Sequence, residues 1–178
     1  MPRASVVALA AALALTAVPA ANAGEEGKFM QRFSGAWVGT GQFLFGAEPR
    51  LEFACDLKGD PSESQLTFGM SGQCRMGAMS APVHAQIRYN SDTQRYYGQF
   101  MDGAEGSGVD LVGTQAGDGF SLKLVRGSTQ GRLSAETVGK NEMKVVIYYR
   151  DPNTQTETPV VAMGFTRKEV ITGSISGN

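Results

Sequence analysis

Cys74, Met76, Met79 and His84 fall within eleven residues of one another. A thiolate, two thioethers and an imidazole are the soft ligands that hold Cu(I). Three observations weigh against that chemistry. Methionine is an ordinary filler of core gaps, His84 has outward parity in its strand, and Cys74 has a candidate bonding partner in Cys55. No metal and no cofactor is therefore assigned. Hydrolysis by a histidine-dependent triad would have to use His84, the only histidine, and no Gly-x-Ser-x-Gly elbow accompanies it. Glu52, Asp56, Asp102, Glu105 and Asp110 are spread over exposed faces and loops rather than paired for acid–base work. The expectation is a non-catalytic protein. Tyr97 or Tyr148, if exposed, could anchor a protein partner.

The cysteines depend on compartment. Arg3, an uncharged apolar stretch from Val6 to Val18 and Ala21-Asn22-Ala23 have the order of a signal peptide, with cleavage expected after Ala23. Thirteen apolar residues fall short of the roughly 20 that a spanning helix needs, so no membrane span is expected after cleavage. The expected location is periplasmic or secreted, where an even cysteine count favours a disulfide. A bond between Cys55 and Cys74 would close 18 intervening residues and stabilise the fold by about 3 kcal/mol on chain-entropy grounds. Local geometry resists it. A simple hairpin turning at Gly59-Asp60-Pro61 sets Cys55 opposite about Phe68, leaving Cys74 roughly 20 Å further on. Either the chain reverses near Gly69 to Gly72 or the register differs.

Removing 23 of 178 residues leaves 155, enough for one domain with its own core. Without Arg3, 15 basic residues face 17 acidic ones, a net charge of −2 with no basic patch, so nucleic acid is not an expected partner. The expected division is a signal peptide over 1–23, a barrel domain over 24–170 and a tail without structure over 171–178.

The elements that would position all these groups are strands. Leu51, Phe53, Cys55 and Leu57 alternate with Glu52, Ala54 and Asp56, and Met143, Val145, Ile147 and Tyr149 alternate with Lys144, Val146 and Tyr148. Period two puts one set into a core and the other toward water. Such runs cover about 37–45, 50–57, 64–70, 82–89, 94–101, 108–114, 119–126, 132–138, 142–150 and 159–167. Turn residues separate them at Gly59-Asp60-Pro61, Asn90-Ser91-Asp92, Gly117-Asp118-Gly119, Gly139-Lys140-Asn141 and Asp151-Pro152-Asn153. Residues 25–33 form a short helical plug carrying Phe29, Met30 and Phe33 on one side. The expected fold is all-β: a single antiparallel up-and-down β-barrel of about 8–10 strands, since closure is the simplest way to hide strand edges.

The inner face combines Trp37, Phe43, Phe53, Phe68, Ile87, Tyr89, Phe100, Phe120, Ile147 and Phe165 with small residues, Gly39, Gly41, Ala85, Gly98 and Gly113. Small residues inside strands either admit a ligand or let large neighbours pack across the barrel. Both readings stand at this point. If the interior is open, the large side chains just named are the candidate contacts for a small hydrophobic ligand.

Gly35-Ala36-Trp37 at the start of the first strand, after a helical plug, resembles the Gly-x-Trp signature of lipocalins and the wider calycin superfamily. In those barrels an Arg near the end of the last strand packs over the Trp, and Arg167 stands at that place. The resemblance implies that Trp37 and Arg167 close the barrel floor and that the interior binds a hydrophobic small molecule. There is no counterpart of the Thr-Asp-Tyr turn of many lipocalins, which sets the resemblance at the level of the superfamily. A second resemblance is to small secreted inhibitors of bacterial metalloproteases, whose single disulfide Cys55 and Cys74 could match. The two functions implied are a ligand-binding barrel or cell-envelope interaction module, and alternatively a protease inhibitor of calycin fold.

Overall fold

In the computed structural model, described over residues 21–44, 50–101 and 108–168, a helix α1 (Ala21–Gln31) precedes ten strands. They are β1 (Gly35–Phe43), β2 (Glu52–Ser62), β3 (Thr67–Met76), β4 (Met79–Asn90), β5 (Arg95–Met101), β6 (Val109–Ala116), β7 (Gly119–Arg126), β8 (Thr129–Val138), β9 (Glu142–Arg150) and β10 (Glu157–Arg167). Each strand pairs antiparallel with its neighbours in sequence, and β1 closes on β10. The result is the expected up-and-down barrel with its N-terminal helix. Closure gives every strand a partner on both sides and so leaves no open sheet edge among the described residues.

The hairpin turns follow local chemistry. Asn90 Oδ1 accepts the backbone N–H groups of Asp92 (3.0 Å) and Thr93 (2.9 Å). Asp151 Oδ1 does the same for Asn153 (2.8 Å) and Thr154 (2.9 Å). These bonds offer the chain an alternative to the ladder and so end the strand.

One turn differs from its expected place. Gly59, Asp60 and Pro61 continue β2, with Asp60 opposite Gly69 and Pro61 opposite Phe68. The reversal comes later, at 63–66, where the Leu66 N–H donates to the Glu63 carbonyl at 3.4 Å and Leu66 takes φ of 49°. β2 and β3 are consequently longer than their alternation suggests, and the register shifts with them. Cys55 lies directly opposite Cys74, with Cα atoms 4.0 Å apart, and the two are bonded. The 20 Å obstacle came from the misplaced turn alone.

Most of the expected signal peptide, Phe45, Asp102, Glu105 and the expected tail lie outside the described residues. The expected cleavage point after Ala23 falls within the first turn of α1. No helix among the described residues is long and apolar enough to cross a membrane.

Candidate ligand cavity

The two ends of the barrel differ, and the difference begins with α1. Phe29, Met30 and Phe33 are buried, and they enter the end of the barrel where β1, β3, β5, β7 and β9 begin. Phe120 stands at the centre of this floor, with ring centroids 4.8 Å from both Phe29 and Phe33 and 5.0 Å from Tyr96. The Tyr96 contact is edge-on, the arrangement that the ring quadrupole favours. Gly59 makes the seating sterically feasible: a Cβ there would lie 1.9 Å from the Phe33 carbonyl oxygen.

Polar groups lock the same end. Trp37, fully buried, donates its Nε1–H to the Phe33 carbonyl at 3.0 Å. Arg167, opposite Trp37 across β1 and β10, stacks with its guanidinium carbon 4.1 Å from the indole centroid. The same guanidinium donates to the carbonyls of Arg32 (2.8 Å), Lys140 (2.9 Å) and Ser34. Burial pulls its pKa below the usual arginine value, though an arginine keeps its charge in proteins. Tyr96, 1% exposed, donates its hydroxyl to the Glu26 carboxylate of α1. Burial first, and then Glu26, raise its pKa above the ordinary tyrosine value; Tyr89 beside it is raised for the same two reasons. Thr137 donates to the Asp118 carbonyl at 3.1 Å. Every one of these polar side chains is already engaged in holding the floor.

Above the floor the barrel is hollow. A cavity of about 850 Å³ extends from Phe33, Phe68 and Phe120 toward the opposite end, where β3 and β4 turn at Gly77. Its size lies within the range of sites for small molecules. Of the ten residues expected on the inner face as ligand contacts, Phe43, Phe53, Phe68, Ile87, Phe100, Phe120, Ile147 and Phe165 border this space. Trp37 and Tyr89 are buried but do not border it; they belong to the floor. Met70, Met143 and Met163, which were not among the expected ligand contacts, also line the wall. Their parity was available in the sequence, but methionine gives no signal that separates a ligand wall from a packed core.

The small inner residues divide. Ala85 and Ala135 border the cavity. Gly39, Gly98 and Gly113 do not: a Cβ at Gly98, for example, would sit 1.9 Å from the Gln86 carbonyl oxygen, so the space is filled by the neighbouring strand. At Gly41 the occupant is a side chain, the Phe53 ring 2.4 Å away.

The soft-ligand group is not assembled. Cys74 is bonded to Cys55, Met76 pairs with Met79 across the β3–β4 hairpin, and His84 is exposed five residues along β4, about 16 Å away. Among the described residues no three His, Cys, Asp or Glu side chains cluster as a metal site. Tyr97 is exposed at 41%, whereas Tyr148 lies under Arg132, whose guanidinium carbon is 4.0 Å from its ring.

No protein-family model and no curated protein matches this sequence. Solved structures do match its fold. Rv2717c from M. tuberculosis superposes with a TM-score of 0.58 at 13% identity, over 81% of this chain and 98% of that one. The S-type phycobiliprotein lyase CpeS from Guillardia theta gives 0.56 at 10% identity, over 82% of this chain and 97% of its own. At such identity the likeness shows the fold alone. It also corrects one expectation. A lyase is built on this barrel, so the lack of a histidine triad or a carboxylate pair does not place the chain outside the enzymes. What the comparisons show for this chain is its fold, an antiparallel β-barrel that superposes on both of these proteins.

Proposed function

We propose that the protein binds a small hydrophobic ligand inside its barrel. The observation that carries this reading is the apolar cavity of about 850 Å³ above the aromatic floor. Phe43, Phe53, Phe100, Ile147, Phe165 and the floor residues Phe68 and Phe120 are the proposed contacts. Transfer of apolar surface from water into such a wall is favourable by about 25 cal/mol per Å² before the costs of association. Trp37 and Arg167 do not touch the ligand; they keep the floor shut beneath it.

Export belongs to the same proposal. A leader cleaved after Ala23 would deliver a disulfide-bonded binding protein to the periplasm or the exterior, where it could act within the cell envelope. The inhibitor alternative gains no support from the N-terminus: Phe29 and Met30 are buried in the barrel, so this segment is not a free trunk.

Titration with N-phenyl-1-naphthylamine, a neutral apolar fluorophore, tests the reading. Saturable binding of one equivalent is expected, and Ala135→Phe, which fills the cavity from β8, is expected to abolish it while keeping a cooperative thermal melt. Absence of saturable binding to the wild-type protein would overturn the proposal, as would undiminished binding to a folded Ala135→Phe variant.

A further inference from the structure

We infer that the cavity takes a one-ended ligand: an unbroken apolar body lies against the aromatic floor, and every polar group sits at the other end. This rests on the ligand-binding reading above and adds the class of the ligand and its direction.

The wall has no hydrogen bond to give. Among the described residues that border the cavity, the only polar side chains are those of Arg75, Ser80 and Gln86, and strand alternation turns all three outward. Arg75 lies between Cys74 and Met76, Ser80 between Met79 and Ala81, and Gln86 between Ala85 and Ile87, neighbours that face in. The backbone offers no more. Each strand is laddered to a partner on both sides, so its N–H and C=O groups are spent within the sheet. A ligand pocket ordinarily carries a few placed polar groups that fix its occupant. Here the described wall carries none.

The two ends of the cavity treat a polar group differently. At the floor it would meet Phe33, Phe68 and Phe120, and the polar groups behind these rings are committed: Tyr96 to Glu26, Trp37 to Phe33, Thr137 to Asp118 and Arg167 to three carbonyls. At the opposite end Met79 borders the cavity and is 63% exposed, so the space meets water beside the β3–β4 turn.

A hydroxyl carried to the floor therefore leaves its water partners and finds no replacement, whereas the same hydroxyl at the β3–β4 end stays hydrated. The wall selects by the position of the ligand's polar groups and is indifferent to their charge. A plain hydrocarbon, a long-chain alcohol or an acyl chain under a single head fits this rule. A molecule that is polar at both ends does not.

The test is competition against bound N-phenyl-1-naphthylamine by three neutral compounds of one chain length, each below its aggregation limit: 1-dodecanol, 1,2-dodecanediol and 1,12-dodecanediol. The two diols contain the same atoms and differ in whether their hydroxyls share an end. The vicinal diol is expected to compete within about threefold of the alcohol, and the two-ended diol at least about tenfold more weakly than the vicinal one. Val145→Thr sets a hydroxyl into the wall near the floor, since Val145 pairs with Ala135 and Ala135 with Phe120. This variant, shown to be folded by its thermal melt, is expected to narrow the gap between the diols by about threefold. Equal competition by the two diols would overturn the inference and leave a ligand-binding barrel. So would a gap that Val145→Thr leaves unchanged, because the wall would then not be what reads the second hydroxyl. If neither the fluorophore nor dodecanol binds, the ligand-binding reading falls and this inference falls with it.

Discussion

Arg167 and Trp37 are opposite each other across β1 and β10, and the guanidinium carbon sits 4.1 Å above the indole centroid while the same side chain ties down the Arg32, Ser34 and Lys140 carbonyls. One residue from the last strand thus fastens the end of the helical segment, the first strand and the β8–β9 turn. Replacing it by alanine removes the stacking and leaves carbonyls short of a donor. Arg167→Ala should destabilise the fold by about 3 kcal/mol, and Arg167→Lys, which keeps the charge but not the fork, by about half of that. Urea unfolding followed by the emission of Trp37, the single tryptophan, measures both. Equal midpoints for wild type and Arg167→Ala would remove this role.

The disulfide makes a separate contribution. Cys55 and Cys74 are 19 residues apart in sequence and directly opposed in β2 and β3. Because β2 and β3 pair continuously from Ala54 to Ser62, well past the bond, the double variant Cys55→Ser/Cys74→Ser should still form the barrel, with stability lower by about 3 kcal/mol. Thermal melts of the variant and of the reduced wild-type protein should agree. A variant that fails to fold at all would mean that the bond sets the register.

The seating of α1 depends on a missing methyl group. A Cβ at Gly59 would lie 1.9 Å from the Phe33 carbonyl oxygen, which is backbone and cannot step aside. Gly59→Ala should lift the end of α1 from the floor and speed amide exchange in residues 24–33, with the β-sheet amides much less affected. Unchanged protection of those amides would show that the floor tolerates the methyl.

Alkaline pH should loosen the same end. Tyr96 has its pKa raised above the ordinary 10.0 by burial and then by the Glu26 carboxylate that accepts its hydrogen bond. The folded state then holds this proton more tightly than the unfolded state. Its contribution to stability is complete below about pH 10 and is lost as pH rises past that point. Unfolding midpoints measured from pH 9 to 11.5 should fall, and Tyr96→Phe should show a shallower fall. Tyr89, shifted in the same direction, accounts for the slope that remains. An identical slope in Tyr96→Phe would contradict the assignment.

Strand number, face and closure were legible because the alternation of residues such as Phe53, Cys55 and Leu57 is the pattern a half-buried strand requires. The register of β2 and β3 was not. Asp60-Pro61 has the chemistry of a turn yet pairs within the ladder, while the actual reversal at 63–66 contains no Gly, Asn or Pro and relies on Leu66 in a left-handed conformation. The division between floor and cavity was also hidden. Trp37 and Phe53 have the same parity in adjacent strands, and only the depth reached by α1 assigns one to the floor and the other to the wall. Glycine left the same question open: at Gly98 and Gly113 the missing side chain lets strands approach each other and opens no space for a ligand.

The central claim is that the barrel accepts a ligand in the space above Phe33, Phe68 and Phe120, and the methionines report on it directly. Met70, Met76, Met79, Met143 and Met163 border the cavity, whereas Met30 lies buried in the plug and Met101 is exposed without bordering it. Methyl-13C methionine NMR during titration with N-phenyl-1-naphthylamine should therefore show saturable shifts in the five lining methyl groups, with Met30 and Met101 nearly still. Shifts confined to the exposed methyl groups of Met79 and Met101, or no saturable shift at all, would contradict the account.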